Sequence, residues 1–131
     1  MELEVTREAL AAMRATAVAA HPLEACGLLL GAGARITEAR ETANVHRAPA
    51  THFEIDPQAL IDAHRAARDG GLQVLGYYHS HPNGAPEPSA TDRAMAAHDG
   101  HIWAIIAGGE VRFWRDGDEA FAALSFTIIE S

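Results

Sequence analysis

The sequence predicts an α/β domain with a mixed sheet. Two observations lead to this prediction. Segments with the apolar spacing of helices alternate with short apolar runs, and the glycine pairs Gly70-Gly71 and Gly108-Gly109 form turns at the ends of such segments. With 48% hydrophobic and 21% charged residues, the 131-residue chain has the composition of a folded protein. Its length fits one domain with an ordinary hydrophobic core, which we expect to span residues 1–131.

The first 45 residues predict three strands and one helix. The first five residues alternate acidic and apolar side chains, which is typical of a short half-buried strand. Thr6 can cap a helix that ends at His21-Pro22, because the apolar residues between them follow helical spacing. The apolar run over residues 26–31 predicts a buried strand, and residues 34–45 predict a more polar one.

The rest of the chain predicts two more helices and four more strands. A capping acid followed by proline starts the first of these helices at Asp56, and Ser89 can cap the second. Three prolines require a loop over residues 82–88, and Gly108-Gly109 predicts a hairpin turn. The predicted helices span residues 56–70 and 89–98, and the predicted strands span residues 72–81, 102–107, 111–114 and 124–129.

Two histidines at the end of the predicted strand 72–81 are candidate metal ligands. Side chains two residues apart in a strand project from the same face, so His79 and His81 point together. The proline-rich loop reverses the chain, and the next helix offers Asp92 from its first turn. Two imidazoles and one carboxylate suit zinc, and three protein ligands leave a fourth position for water, as in catalytic zinc sites. We therefore expect one zinc ion here.

Each part of this pattern has an ordinary structural interpretation when it is taken alone. A His-x-His pair is a weak signal in a chain with eight histidines. Ser89 with an acid three residues later also forms a helix capping box. The conjunction of the histidine pair, the loop and Ser89-Ala90-Thr91-Asp92 is what favours a metal site, and Ser89 can face this site and cap the helix as well.

Other residues with chemical potential have simpler interpretations. Cys26 lies in an apolar run, which favours a buried, inert thiol over a nucleophile. His98 and His101 flank a turn, and the remaining histidines lack ligand spacing to one another. Trp103 and Trp114 are expected in the core. A zinc deaminase requires His-x-Glu followed by Pro-Cys-x-x-Cys, and neither motif occurs.

The net charge of −8, from ten basic and eighteen acidic residues, argues against two classes of partner. The basic residues are scattered singly, so nucleic acid and anionic membranes are poor partners. No apolar run approaches the ~20 residues that span a bilayer. The acidic N-terminus is unlike a signal peptide. We therefore predict a cytoplasmic protein, and the sequence leaves its oligomeric state open.

Three segments carry a resemblance to a known family: Glu24-Ala25-Cys26-Gly27-Leu28-Leu29-Leu30-Gly31, His79-Ser80-His81-Pro82 and Ser89-Ala90-Thr91-Asp92. Together they resemble the JAMM (MPN-domain) zinc metalloproteases, especially the short prokaryotic JAB-domain type. The resemblance implies a single MPN-type domain with a curved mixed β-sheet flanked by helices, related to the zinc deaminase fold. It assigns the zinc ion to His79, His81 and Asp92. It assigns the general acid/base role to Glu24 and oxyanion stabilisation to Ser89.

The resemblance also implies an isopeptidase or peptidase. Short prokaryotic relatives remove a residue or peptide from the Gly-Gly end of ubiquitin-like sulfur-carrier proteins, so a carrier with a Gly-Gly tail is the expected substrate. Relatives that select among polyubiquitin linkages carry insertions, for which 131 residues leave no obvious room. Two alternatives remain open. One is a non-hydrolytic zinc-containing module that binds ubiquitin-like tails, and the other is a small-peptide or amide hydrolase without a carrier partner.

Overall fold

Three helices and eight strands alternate along residues 2–130, the part of the chain that the computed structural model describes. The helices are α1 (Arg7–Ala20), α2 (Pro57–Arg68) and α3 (Ala90–Met95). The strands are β1 (Leu3–Thr6), β2 (Cys26–Ala32), β3 (Arg35–Thr42), β4 (Gln73–Ser80), β5 (Ile102–Ala107), β6 (Glu110–Asp116), β7 (Phe121–Leu124) and β8 (Phe126–Ile129). Within these described residues, no helix is long and apolar enough to cross a membrane.

The eight strands form one sheet in the order β7-β6-β5-β4-β2-β3-β1-β8. The pairs β1–β3, β1–β8 and β4–β5 are parallel, and the other neighbouring pairs are antiparallel. The predicted α/β class with a mixed sheet is therefore confirmed. The predicted hairpin turn at Gly108-Gly109 joins β5 to β6, and both glycines adopt positive φ there (56° and 81°).

The sheet curves so strongly that its two edge strands approach each other. β7 and β8 lie at opposite edges, but only Ser125 separates them in the sequence. The rings of Phe113 in β6 and Phe126 in β8 are accordingly in contact, with centroids 4.8 Å apart. Helix α1 contacts β1, β3, β4, β5 and β6, so it occupies the concave face, where Leu10 and Met13 are buried. The expected curved sheet flanked by helices is confirmed.

The predicted strand over residues 124–129 corresponds to β8, which begins two residues later, and the strand before it, β7, was not predicted. β7 ends at Leu124 and β8 begins at Phe126, and the carbonyl oxygen of Ser125 between them accepts a hydrogen bond from Leu3 N–H (3.2 Å). The chain changes edges at this residue, because β7 pairs with β6 whereas β8 pairs with β1. The sequence did not reveal this break, because a local apolar pattern does not show which strand each half of the segment pairs with.

The predicted helix over residues 89–98 extends too far. α3 ends at Met95, and Ala96 is already extended, with φ −64° and ψ 137°. His98 then adopts a positive φ of 56°, and its backbone N–H donates a hydrogen bond to the carboxylate of buried Asp116 (3.0 Å). This contact draws the chain back to β6 before another helical turn forms.

Strand β2 is buried on both faces, which explains its continuous apolar sequence. Cys26, Leu28 and Leu30 belong to the core under α2, whereas Leu29 belongs to the core under α1. Cys26 is buried, as predicted, and burial raises the pKa of its thiol. The thiol therefore stays protonated at neutral pH, which suits a structural residue and not a nucleophile.

Candidate metal centre and active site

The end of β4 places two histidines on the α2 side of the sheet. His79 and His81 are two residues apart on an extended chain, so their side chains share a face, as predicted. His79 is completely buried, and its ring stacks on Phe53 with centroids 4.3 Å apart and meets the edge of Trp103 at 5.6 Å. These aromatic contacts orient the imidazole, whose Nδ1 has no hydrogen-bond partner among residues 2–130.

A helix cap positions the third predicted ligand. Asp92 N–H donates to Ser89 Oγ at 3.0 Å, and Ser89 N–H donates to Asp92 Oδ2 at 3.0 Å, so the capping box is present at the start of α3. The box holds the buried Asp92 carboxylate toward the histidines. Because Ser89 Oγ is the acceptor in this cap, its hydroxyl proton remains available for donation into the neighbouring cleft. The two interpretations of Ser89 are therefore compatible.

The structure brings together the three predicted metal ligands, His79, His81 and Asp92, with ligand atoms within 4.8 Å of one another. His81 Nε2 is 3.1 Å from His79 Nε2 and 3.0 Å from Asp92 Oδ2, and His79 Nε2 is 3.1 Å from Asp92 Oδ1. His81 Nδ1 lies 2.8 Å from the carbonyl oxygen of Ala85, so Nδ1–H donates and Nε2 keeps the lone pair that faces the other ligands.

The electrostatics of these side chains suit a cation. Burial alone raises the pKa of Asp92, but hydrogen bonds with His79 and His81 outweigh burial and hold this pKa well below its usual range. Burial lowers the pKa of His79, so its imidazole stays neutral. Burial also lowers the pKa of His81, but its hydrogen bonds with Asp92 and Ala85 outweigh burial and raise this pKa, so metal binding must displace a proton from His81. An ionised carboxylate and a neutral imidazole are the protonation states that bind a metal. The donor set therefore fits a single zinc ion, as predicted.

Glu24 lies just before β2, next to the end of β4 that carries the histidines. β2 and β4 are antiparallel with Cys26 opposite His79, and Ser80 N–H donates to the carbonyl oxygen of Ala25 (3.0 Å), so the segment with Glu24 lies beside the end of β4. Only 7% of Glu24 is exposed, and it lines a cleft of about 420 Å³ together with His81 and Ser89. The structure thus brings the predicted acid/base and the predicted oxyanion donor to a cleft that the metal ligand His81 also lines.

The carboxyl group of Glu24 has a raised pKa of about 7. Burial is the main cause, the nearby His81 lowers the pKa in part, and the charge of Asp92 raises it further. A group whose pKa lies near neutrality both accepts and releases a proton readily at neutral pH. This is the property that a general acid/base requires.

Asn44 anchors the segment before β2, a role that the sequence did not reveal. The predicted strand 34–45 ends at Thr42, and Asn44 instead forms a turn in which its Oδ1 accepts a hydrogen bond from His46 N–H (3.1 Å). Its Nδ2 donates to the carbonyl oxygen of Glu24 (3.0 Å). An asparagine after a polar strand is a signal for such a turn, but the pattern gives no sign of the distant partner.

The loop between β4 and α3 is held by contacts that the sequence did not predict. Ala85 binds His81 through its carbonyl oxygen, and the next residue, Pro86, accepts a hydrogen bond from Trp114 Nε1 (3.1 Å). Trp114 is half-buried over this loop and not in the core as predicted, because its indole N–H finds a partner at the surface. Trp103 is buried, as predicted.

A family model for prokaryotic homologues of the JAB domain matches residues 6–117. The chain belongs to this family. All five predicted site residues of the JAB domain lie inside the matched range. A JAB1/MPN domain protein from Archaeoglobus fulgidus has the same fold, with a TM-score of 0.61, 19% identity, and coverage of 96% of this chain and 97% of that one. The resemblance to the short prokaryotic JAB-domain type is confirmed.

Two curated relatives of this JAB domain have assigned activities. Desampylase from Haloferax volcanii is 39% identical over 88 residues, which cover 66% of this chain and 63% of that protein. The probable TtuB-protein conjugate cleaving protease from Thermus thermophilus is 38% identical over 90 residues, 69% of this chain and 60% of that protein. The chain therefore matches less than two thirds of the length of either relative.

Removal of one ligand side chain should remove the metal. We expect Asp92→Ala and His81→Ala each to lower zinc affinity by at least ~100-fold, because only two protein donors remain. Zinc is measured by elemental analysis after dialysis, and the wild-type protein should hold one equivalent. His64→Ala is the control, since His64 is an exposed histidine on α2 away from the ligands. A full equivalent of zinc in either ligand variant would show that the ligand assignment is wrong.

The raised pKa of Glu24 predicts a pH-dependent stability difference in metal-free protein. Between the ordinary value of 4.5 and about 7, the folded protein binds the Glu24 proton more tightly than the unfolded chain does, so stability falls as pH rises through this window. The Glu24→Gln variant does not undergo this loss of stability, because the glutamine side chain does not ionise. We expect it to gain on the order of 1–2 kcal/mol over wild type at pH 8, an estimate reduced for solvent screening at the cleft, and to gain nothing at pH 4.

The measurement is urea unfolding of both proteins in a chelator at several pH values. Comparison of the two proteins at each pH cancels the titration of groups that they share. A stability difference that stays the same from pH 4 to pH 8 would contradict the raised pKa.

Proposed function

We propose that this chain is a zinc-dependent isopeptidase that hydrolyses the amide bond after the Gly-Gly end of a ubiquitin-like sulfur-carrier protein. The observation that supports this most directly is the convergence of His79, His81 and Asp92 beside Glu24, a buried carboxyl group in the same cleft. Two relatives, a desampylase and a probable TtuB-protein conjugate cleaving protease, support the same substrate class.

Each side chain of the cleft has a separate role in the proposed hydrolysis. Zinc, when bound, acts as a Lewis acid for the scissile carbonyl and makes an attacking water more acidic. Glu24 takes a proton from the water and passes it to the leaving amine, so the C–N bond is replaced by a carboxylate and a free amine. Its pKa of about 7 suits both transfers. The Ser89 hydroxyl donates a hydrogen bond to the negative charge that develops on the carbonyl oxygen.

An apolar face beside His79 is the proposed docking surface for the body of the carrier. This α2 face consists of Phe53, Leu60, Ile61, Tyr77 and Met95. Two adjoining depressions share Leu60 and Tyr77, and the Ile61 and Met95 side chains are 45% and 52% exposed. Large exposed apolar side chains beside a cleft are typical of surfaces that bind another protein. Phe53 connects this face to the metal centre through its contact with His79.

Other statements about this protein stay predictions from the sequence. They are the cytoplasmic location, the lack of nucleic-acid and membrane partners, the domain span of residues 1–131, and the relation to the zinc deaminase fold.

The proposed reaction can be tested by intact-mass spectrometry of zinc-loaded protein incubated with sulfur-carrier proteins extended beyond Gly-Gly. The extensions are attached through an α-peptide bond in one series and through a lysine isopeptide bond in the other. The chain contains ten arginines and no lysine, so it cannot itself be modified through a lysine isopeptide bond. Every isopeptide-linked species in the mass spectrum therefore derives from the substrate. We expect the wild type to cleave after the second glycine. Glu24→Gln should keep one equivalent of zinc and lose at least ~100-fold in kcat, because it lacks the general base.

Three outcomes separate the alternatives. Cleavage by the wild type alone supports the proposed reaction and base together. Retained activity in Glu24→Gln would remove Glu24 from the mechanism. If no carrier is cleaved by protein that holds one equivalent of zinc, the proposal fails, and a small-amide hydrolase or a non-hydrolytic binding module takes its place.

A further inference from the structure

A groove between α1 and the β5–β6 hairpin adjoins the cleft that contains Glu24. It has a volume of about 600 Å³, and His81 and Pro82 line both depressions. The two depressions are therefore neighbours at the end of β4. The walls of this α1 groove include Arg14, Val18, His21, Pro82, Ala107 and Gly109.

The pairing of β4 with β5 brings the α1 groove to the metal centre. The two strands are parallel with Ser80 opposite Ile106, and His81 N–H donates to the carbonyl oxygen of Ile106 (2.8 Å). The hairpin turn at Gly108-Gly109 follows directly after β5. A substrate chain bound at the metal ligands therefore meets the groove on the His81 side.

Arg14 gives the α1 groove a positive charge. Its Nε donates to the carbonyl oxygen of Gly109 (3.0 Å), which holds the guanidinium at the wall of the groove. None of the ion pairs within residues 2–130 involves Arg14, although the chain carries a net charge of −8. The surface beside it is apolar, with Val18 78% exposed. A guanidinium with free N–H groups in this setting suits a carboxylate.

We propose that the α1 groove binds the segment on the amine side of the scissile bond, and that Arg14 selects leaving segments with a carboxylate near that bond. This inference rests on the proposed function. The carrier body occupies the α2 face beside His79, and the substrate crosses the metal ligands from His79 to His81. The leaving segment then emerges where the groove begins. Arg14 is thus a specificity-determining residue and takes no part in proton transfer.

Two sources can present this carboxylate. One is the free α-carboxylate of a residue or short peptide joined to the carrier tail through its amine. The other is an acidic side chain close to the scissile bond, in a peptide extension or next to a modified lysine. Both place the same anionic group on the amine side, so one guanidinium can serve either source.

The experiment compares kcat/KM for one carrier extended after Gly-Gly by matched short segments. Amidated Ala-Glu, Ala-Gln and Ala-Lys extensions isolate the side-chain charge, and a single alanine with a free or amidated carboxyl isolates the α-carboxylate. We expect the wild type to prefer the acidic segment over the basic one by about three- to ten-fold, as for a partly exposed ion pair. The preference should shrink at high salt.

Variants of Arg14 should change the preference and not only the rate. Arg14→Glu should reverse the ratio of the Ala-Glu to the Ala-Lys substrate, and Arg14→Lys should keep its direction. Arg7→Glu makes the same charge change on the same helix outside the groove, and it should leave the ratio unaltered. This control separates a local contact from the effect of net charge.

The outcomes distinguish this inference from the proposed function. Cleavage of all extensions at equal rates, or an equal effect of Arg14→Glu on every substrate, would overturn the role of Arg14 and leave the isopeptidase standing. Loss of all cleavage would overturn both. If only the free α-carboxylate raises the rate, the groove is a site for short leaving peptides. If the acidic side chain raises the rate, the groove recognises acidic residues that flank the scissile bond.

Discussion

The antiparallel register between β2 and β4 is the constraint on which the site depends. Cys26 lies opposite His79, and this pairing brings Glu24, two residues before Cys26, to the end of β4 that carries the histidines. Side chains alternate between faces along a strand, so a slip of one residue would turn the carboxyl group away from the imidazoles. Such a slip is opposed because β2 is buried on both faces, and Leu29 must enter one core while its neighbours enter the other. Core packing therefore fixes the geometry of the chemistry.

The burial that packs these strands also sets protonation states, and it lowers the stability of the metal-free protein. Glu24 is almost fully buried with a pKa of about 7, so its ionised form is disfavoured near neutral pH. Asp92 keeps its charge because His79 and His81 lie within hydrogen-bond distance of it. A cation held by these three side chains compensates the negative charge of both carboxylates. Metal binding and folding are therefore linked, because a ligand that binds only the folded protein stabilises it.

The parts of the site that the sequence predicts are those set by local geometry. The His79 and His81 pair follows from the alternation of side chains along a strand, and Asp92 follows from the first turn of a capped helix. The position of Glu24 depends on pairing between strands far apart in sequence, so spacing alone could not reveal it and the family resemblance supplied it. The edge change at Ser125 was missed for the same reason, because the apolar pattern around it is continuous and only its partners differ.

The two sides of the metal centre differ in chemical character. The α2 face beside His79 is apolar, whereas Arg14 marks the opposite side with a positive charge. Apolar contact supplies affinity with little directionality, and a single guanidinium discriminates between charged segments. In the proposed reaction the carbonyl oxygen of the amide bond must reach Ser89 and its nitrogen must reach Glu24, so the substrate has to bind in one direction. Since α1 and α2 pack on opposite faces of the sheet, residues of either helix can change the accepted substrate without moving the β2–β4 pair that holds the chemistry.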